Sequence, residues 1–248
     1  MIARLRDLTR YRKKLVEARS SETQRIQKLL EDAGIKLDSV VSDVLGKSGR
    51  DMLDALIAGV RDPRILAEMA RARMRPKIAE LHLALEGRFS QHHALMLEMH
   101  LAHVDHLTAS IERLGGEIDE VMTPFGDQSV RFQTIPGVGK RTAEVIVAEI
   151  GVDMSRFPAA GHLASWAGMC PGNHESAGKR RSGRARKGDH ALRAALCEAA
   201  WAAARTKDTY LAAQFRHLRR RFGKGRRQQG RICARSHDAG DRVAPALK

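Results

Sequence analysis

Apolar residues recur at three- and four-residue steps along most of this 248-residue chain, the spacing of helices that bury one face. Leu5, Leu8, Leu15, Ile26, Leu29 and Leu30 mark one charged helix over residues 1–33, which Gly34 breaks. A short second helix is expected over 35–45, stopped by Gly46. Ser48 is placed to cap a third, carrying Met52, Leu53, Leu56, Ile57 and Val60. Asp62-Pro63 reads as an N-cap followed by proline at the first helical position. That fourth helix runs through Ile65, Leu66 and Met69 and is interrupted by Pro76; a further turn or two covers 78–85, loosened by Gly87. Residues 89–122 form one long helix. Met96, Met99, Leu107, Ile111, Leu114, Ile118 and Val121 keep near-heptad spacing there, which suits a helical hairpin or a coiled-coil dimer seam.

Thr123-Pro124-Phe125-Gly126 is the clearest boundary. It divides a helical linker, 1–123, from a C-terminal domain, 126–227. The domain carries a glycine turn, Ile135-Pro136-Gly137-Val138-Gly139, that opens a helix at Lys140. Pro136 sets its own φ, and Gly137 and Gly139 can take the positive φ that a sharp reversal needs. Ala143, Ile146, Val147 and Ile150 share the inner face, and Gly151 ends the helix. After Phe157-Pro158 a short helix covers 162–168. Asp189 caps a helix over 190–205 with Leu192, Leu196, Ala199 and Ala203 inward, side chains small enough for close helix approach. Asp208 is expected to cap a last helix through Tyr210, Leu211, Phe215 and Leu218. Arg219-Arg220-Arg221 and Lys224 to Arg227 form a basic cluster. The tail, 228–248, lacks any amphipathic period and is expected to be disordered. The fold class is all-α.

Charge changes this picture most. A formal net charge of +15 calls for a polyanionic partner, and nucleic acid fits best. Hydrophobic residues at 43% supply a core, while aromatics at 4% argue against a β-sandwich and against stacking platforms for single strands. No apolar run is long enough to cross a bilayer and no signal peptide is visible, so a membrane partner is not expected. Cys170, Cys197 and Cys233 form no C-x-x-C pair and read as reduced thiols of a cytoplasmic, nucleoid-associated protein. His92, His93, His100, His103 and His106 lie on the long helix. His100 and His103 share a face, but nothing nearby completes a ligand set, so they read as polar-face residues and no metal site is assigned.

Two stretches could carry chemistry. The glycine turn at a helix N-terminus presents unpaired N–H groups that suit a phosphate. Gly137, Gly139, Lys140, Arg141 and Thr142 would make the contact, with two cations at the same spot. This pattern, over about 131–151, resembles the helix-hairpin-helix motif, a sequence-independent binder of DNA backbone. The plain alternative is an αα turn whose glycines serve packing. The second stretch is the polar, basic loop 171–188. Ser176 lies in it behind Asn173 and Glu175 and ahead of Ala177-Gly178, with Lys179, Arg180, Arg181, Arg184, Arg186 and Lys187 following closely. A serine hydroxyl is a weak nucleophile unless its developing charge is stabilised, and cations around a phosphodiester supply that. Attack by Ser176 would give a phosphoserine joint to DNA; Ser182 is a second candidate. On residues alone, a solvated phosphate-contacting loop is the simpler reading.

Ser155-Arg156-Phe157, Ser165-Trp166-Ala167-Gly168, Pro171-Gly172, Glu175-Ser176-Ala177-Gly178-Lys179 and Lys187-Gly188, behind the glycine hairpin, together resemble one transposase family. Its members join an N-terminal RuvC-like DEDD nuclease domain to a C-terminal serine-bearing domain, and include pilin-gene invertases and bridge-RNA-guided recombinases. The resemblance implies a DNA recombinase for an insertion sequence, a mobile element, with Ser176 as the nucleophile. It implies double-stranded DNA partners (element ends and target), a structured guide RNA as a further partner, and a homo-oligomer formed through the long helix. Magnesium is implied only for the acidic residues of the RuvC-like half, so no cofactor is expected in this chain. Two departures stand out: no RuvC-like stretch precedes Met1, and the tail reads like out-of-frame translation. The expectation is a truncated copy, inactive alone. The alternatives are a non-enzymatic helix-hairpin-helix DNA-binding module and a structural coiled-coil protein that binds RNA.

Overall fold

A computed structural model describes residues 1–170, 174–182 and 187–222. The tail 228–248, the cluster Lys224 to Arg227, Arg184 and Arg186 lie outside the described residues, as do the side chains of Arg180 and Arg181. The chain forms two compact units, one of residues 12–115 and one of residues 1–11 with 116–248. Two long helices, α1 (Ile2–Asp32) and α6 (Gln91–Met122), contribute to both. The sequence-based boundary at 123–126 appears as a 3-10 turn, Thr123–Phe125, joining α6 to α7 (Gly126–Gln133).

The unit of residues 12–115 buries one apolar cluster. Ile26 and Leu30 of α1 meet Met52, Leu53 and Leu56 of α3 (Lys47–Ile57), Leu66 of α4 (Pro63–Glu68), Leu81 of α5 (Ile78–Ala84) and Leu97, Leu101 and Val104 of α6. The second helix is shorter than expected: α2 covers only Leu37–Val40, and Val41 is already extended. Ser48 is not the cap of α3. It is buried inside that helix, and its hydroxyl accepts from the Arg71 amide at 2.9 Å. Asp62 does cap α4, accepting from the Arg64 amide at 2.8 Å ahead of Pro63.

The buried stripe of α6 is offset from the expected one in its first half. Ala94, Leu97, Leu101 and Val104 turn inward, while Met99 is 63% exposed. On the same helix His100 and His103 do have an acidic neighbour, supplied by α1. Glu22, 4% exposed, lies 2.9 Å from His100 Nδ1 and 3.3 Å from His103 Nδ1, and also pairs with Arg25. Burial opposes the charged carboxylate. The hydrogen bond to His100 and the nearby positive charges outweigh it, holding Glu22 below its ordinary range.

The other unit packs the start of α1 and the end of α6 with α7, α8 (Lys140–Ile150), α9 (Ala160–Trp166), α10 (His190–Arg205) and α11 (Tyr210–Phe222). Its core joins Leu5, Ile118, Phe132, Ile146, Val147, Leu163, Leu192 and Leu196. The inner face expected for α8 is buried as read, and Gly151 closes it at φ +75. Asp189 caps α10, accepting from the Leu192 amide at 2.7 Å. Asp208 does not cap α11; the Thr209 hydroxyl accepts from the Ala212 amide at 3.3 Å instead. Among the described residues the only strands are β1 (His174–Ser176) and β2 (Lys179–Ser182), a short antiparallel pair within an otherwise helical fold.

Candidate nucleic-acid interface

The glycine turn joins α7 to α8. Gly137 takes φ +88, and a Cβ placed on it would stand 2.2 Å from the Ala199 carbonyl oxygen and 2.6 Å from the Ala203 nitrogen. Only glycine lets the turn lie this close to α10, and the alanines of α10 permit the approach from the other side. Gly139 behaves differently. It is extended at φ −93 and ψ 176, not at positive φ as expected, and a Cβ on it would meet nothing within 4 Å. It precedes an α8 N-terminus with no side-chain cap. Gly139, Lys140 and Arg141 are exposed and Thr142 is half-buried. Lys140 Nζ lies 2.7 Å from Asp119 Oδ1 of α6, so this cation already faces a carboxylate.

Within the serine loop, residues 174–182 form a short hairpin. Ser176 pairs with Lys179 and Glu175 with Arg180, and a bulge between His174 and Glu175 sets His174 opposite Ser182. Ala177 at φ +51 and Gly178 at φ +72 make the two-residue turn. Positive φ at both positions matches the right-handed strand twist of tight hairpins. Ser176, Ala177, Gly178 and Lys179 are all exposed. The loop returns through exposed Lys187 to Gly188, whose Cβ position would be 2.2 Å from the Gly168 nitrogen. The Asp189 amide then donates to the Trp166 carbonyl at 3.0 Å. These contacts anchor the hairpin's exit against the end of α9 and the start of α10.

Arg10 ties the second stretch to the far end of α8. Its guanidinium donates to both Glu149 carboxylate oxygens at 2.8 Å and to Asp189 Oδ2 at 2.9 Å. The hydrogen bond to Glu149 raises the Arg10 pKa, against a smaller opposing effect of burial. Arg6 donates to the carbonyls of Ala148 and Glu149, each at 3.2 Å, and Arg4 pairs with Glu117. Arg4, Arg6 and Arg10 are thus engaged in internal pairs. The same contacts show that α8 and α10 run antiparallel. The α8 C-terminus lies by Asp189 at the start of α10, and its N-terminal turn lies by Ala199 and Ala203. At 1.5 Å per residue, the glycine turn and the base of the serine hairpin are about 15–20 Å apart along α10. They are two ends of one helix pair, not one pocket.

An open cleft of about 620 Å³ lies at the hairpin's base, lined by Arg156, Phe157, His162, Ser165, Trp166, Lys187, Gly188 and Asp189. Trp166 stands exposed in this lining, and exposure of an aromatic cannot be read from its identity. Among the described residues no group of three His, Cys, Asp or Glu side chains could hold a metal ion. Cys170 and Cys197 are unpaired, and no described helix is long and apolar enough to cross a membrane.

The second unit is therefore a cationic helical domain that displays an uncapped helix N-terminus at one end and a serine-tipped hairpin at the other. Residues 129–216 match the sequence model of the Transposase IS116/IS110/IS902 family. It is 38% identical over 77 residues to the pilin gene-inverting protein of Moraxella bovis and 36% identical over 77 residues to that of Moraxella lacunata. Each match covers 30% of this chain and 24% of the relative. An uncharacterized 43.6 kDa protein of insertion element IS110 from Streptomyces coelicolor is 43% identical over 60 residues, 24% of this chain and 13% of that protein. The matches span about a quarter or less of these curated relatives.

Proposed function

We propose that this chain contributes the serine-bearing half of an insertion-element recombinase, with Ser176 as the nucleophile toward a DNA phosphodiester. The observation that carries the reading is the hairpin: Ser176 stands exposed at a two-residue turn, directly opposite Lys179. In the reaction the Ser176 Oγ bonds to phosphorus and the scissile P–O bond breaks. The serine proton ends on the released DNA hydroxyl. One phosphodiester replaces another, so the strand can later be rejoined. Lys179, with Arg180, Arg181, Arg184, Arg186 and Lys187, would offset the charge that builds on the phosphoryl oxygens.

The turn through Gly139, with Lys140, Arg141 and Thr142, acts in this proposal as a helix-hairpin-helix grip on the duplex backbone through main-chain N–H groups. The separation of about 15–20 Å from the hairpin's base is near half of a ~34 Å helical turn of DNA. One duplex could therefore meet both. Assembly of several copies follows from the resemblance. Leu95 and Met99, both exposed on α6, are positions such a partner could cover.

The test uses end-labelled duplex carrying the DNA that flanks the gene. This chain is incubated alone and also with a full-length relative whose own serine is replaced. Label transferred to a band of this chain's size on a denaturing gel is the expected result with the relative present. Ser176→Ala should abolish the adduct and leave duplex affinity intact. An adduct that persists in Ser176→Ala removes the serine from the mechanism. Binding without an adduct in every mixture favours the non-enzymatic helix-hairpin-helix module.

A further inference from the structure

The cleft beside the hairpin has a composition unlike the rest of the surface. Trp166, the last residue of α9, is 53% exposed, although a side chain of this size usually buries most of its area. Phe157 packs edge-on against it, with centroids 6.4 Å apart and planes at 62°. That contact braces the indole from one direction and leaves more than half of its surface open. Arg156, His162 and Lys187 line the same cleft and are exposed. Lys187 closes the basic segment that begins with the Ser176 hairpin, and the Asp189 amide ties its return to the Trp166 backbone. Asp189 is the one acid in the lining, and its carboxylate is already engaged by Arg10 and by the Leu192 amide. The cleft thus combines a braced aromatic face with two cations, Arg156 and Lys187. Its volume is in the ~300–1,000 Å³ range of small-ligand sites.

We infer that this cleft receives a single DNA base displaced from the duplex next to the strand that Ser176 contacts, stacked on Trp166 with its phosphate held by Arg156 and Lys187. The inference rests on the DNA reading above. Extruding a base costs a few kcal/mol, least where the base is unpaired. Stacking on an aromatic side chain and a phosphate contact offset that cost.

The chain has two tryptophans, so Trp201→Phe leaves Trp166 as the fluorescent reporter. Three probes are titrated: a perfect duplex, the same duplex with one bulged base, and the bulged RNA equivalent. Bulged DNA should quench Trp166 and bind more tightly than the perfect duplex. Trp166→Ala should erase that preference, a loss of about 5- to 100-fold. Trp166→Phe should keep most of it, which separates stacking from misfolding. Equal preference in Trp166→Ala, or tighter binding of the RNA, overturns the inference. Equal binding of bulged and perfect DNA by the parent protein sinks the pocket alone. A parent protein that binds no duplex sinks the underlying DNA reading.

Discussion

Gly137 and Ala203 hold the glycine turn against α10: a Cβ on Gly137 would stand 3.0 Å from the Ala203 Cβ and closer still to the α10 backbone. Gly137→Ala must therefore displace backbone and adopt a left-handed conformation as well. A loss of about 2–4 kcal/mol is expected from overpacking plus the φ penalty, measured by urea unfolding. Gly139→Ala faces open space at an extended φ, and its stability should change by less than about 0.5 kcal/mol. If its amide neighbourhood grips phosphate, the added methyl should still weaken duplex binding by about fivefold, the equivalent of one lost hydrogen bond. Equal DNA affinity in Gly139→Ala would assign the whole turn to packing.

Arg10 is the clasp between the end of α8 and the start of α10. Glu149 is 4% exposed, and Arg10→Ala removes its bidentate partner. Arg6 remains at 3.1 Å, so the expected loss is about 2–3 kcal/mol, not the full cost of an orphaned buried charge. Arg4→Ala breaks an exposed pair with Glu117 and should cost less than about 1 kcal/mol. Thermal melts of the two variants measure the contrast. Similar melting temperatures would show that Arg10 bears no structural load.

Asp119 shares Lys140 with any phosphate that approaches the α8 N-terminus. Both side chains are largely exposed, so Asp119→Ala should leave stability within about 1 kcal/mol. Removing the acid should tighten duplex binding and make it more salt-dependent, because a negative charge beside the approaching phosphate is lost. Unchanged affinity at several salt concentrations would place the DNA away from this helix end.

Glu22 makes the unit of residues 12–115 sensitive to acid. Its carboxyl is held below the ordinary value of 4.5, so the folded state favours the charged form more than the unfolded state does. The stabilisation is present above that value and is lost as pH falls through the lower folded value. Melting temperature should drop between about pH 5 and 3. Glu22→Gln should be less stable at pH 7, by about 1–3 kcal/mol, and flatter across that acid range. An identical pH profile in the variant would exclude Glu22 as the source.

Most helices were legible before the structure because a helix needs only local spacing and end signals. Asp62-Pro63 and Asp189 act as read, since a cap hydrogen bond closes within three residues. Ser48 and Asp208 look equally suitable in sequence. The first hydroxyl is taken by the distant Arg71 amide, and Thr209 stands closer to the last helix's start. The α6 stripe shifted because both Met96–Met99 and Ala94–Leu97 satisfy helical spacing, and only packing with α1, α3 and α5 chooses between them.

The order of helices, the net positive charge, the glycine turn and the exposed serine within cations all follow from residues close in the chain, because backbone propensity and formal charge are local properties. Tertiary packing decided three things. It spent Arg6 and Arg10 on Glu149, placed the glycine turn and the serine hairpin at opposite ends of α8 and α10, and left Trp166 open beside Lys187. Each depends on which side chains meet across more than twenty residues of chain, and hydrophobic spacing alone contains no information about such partners.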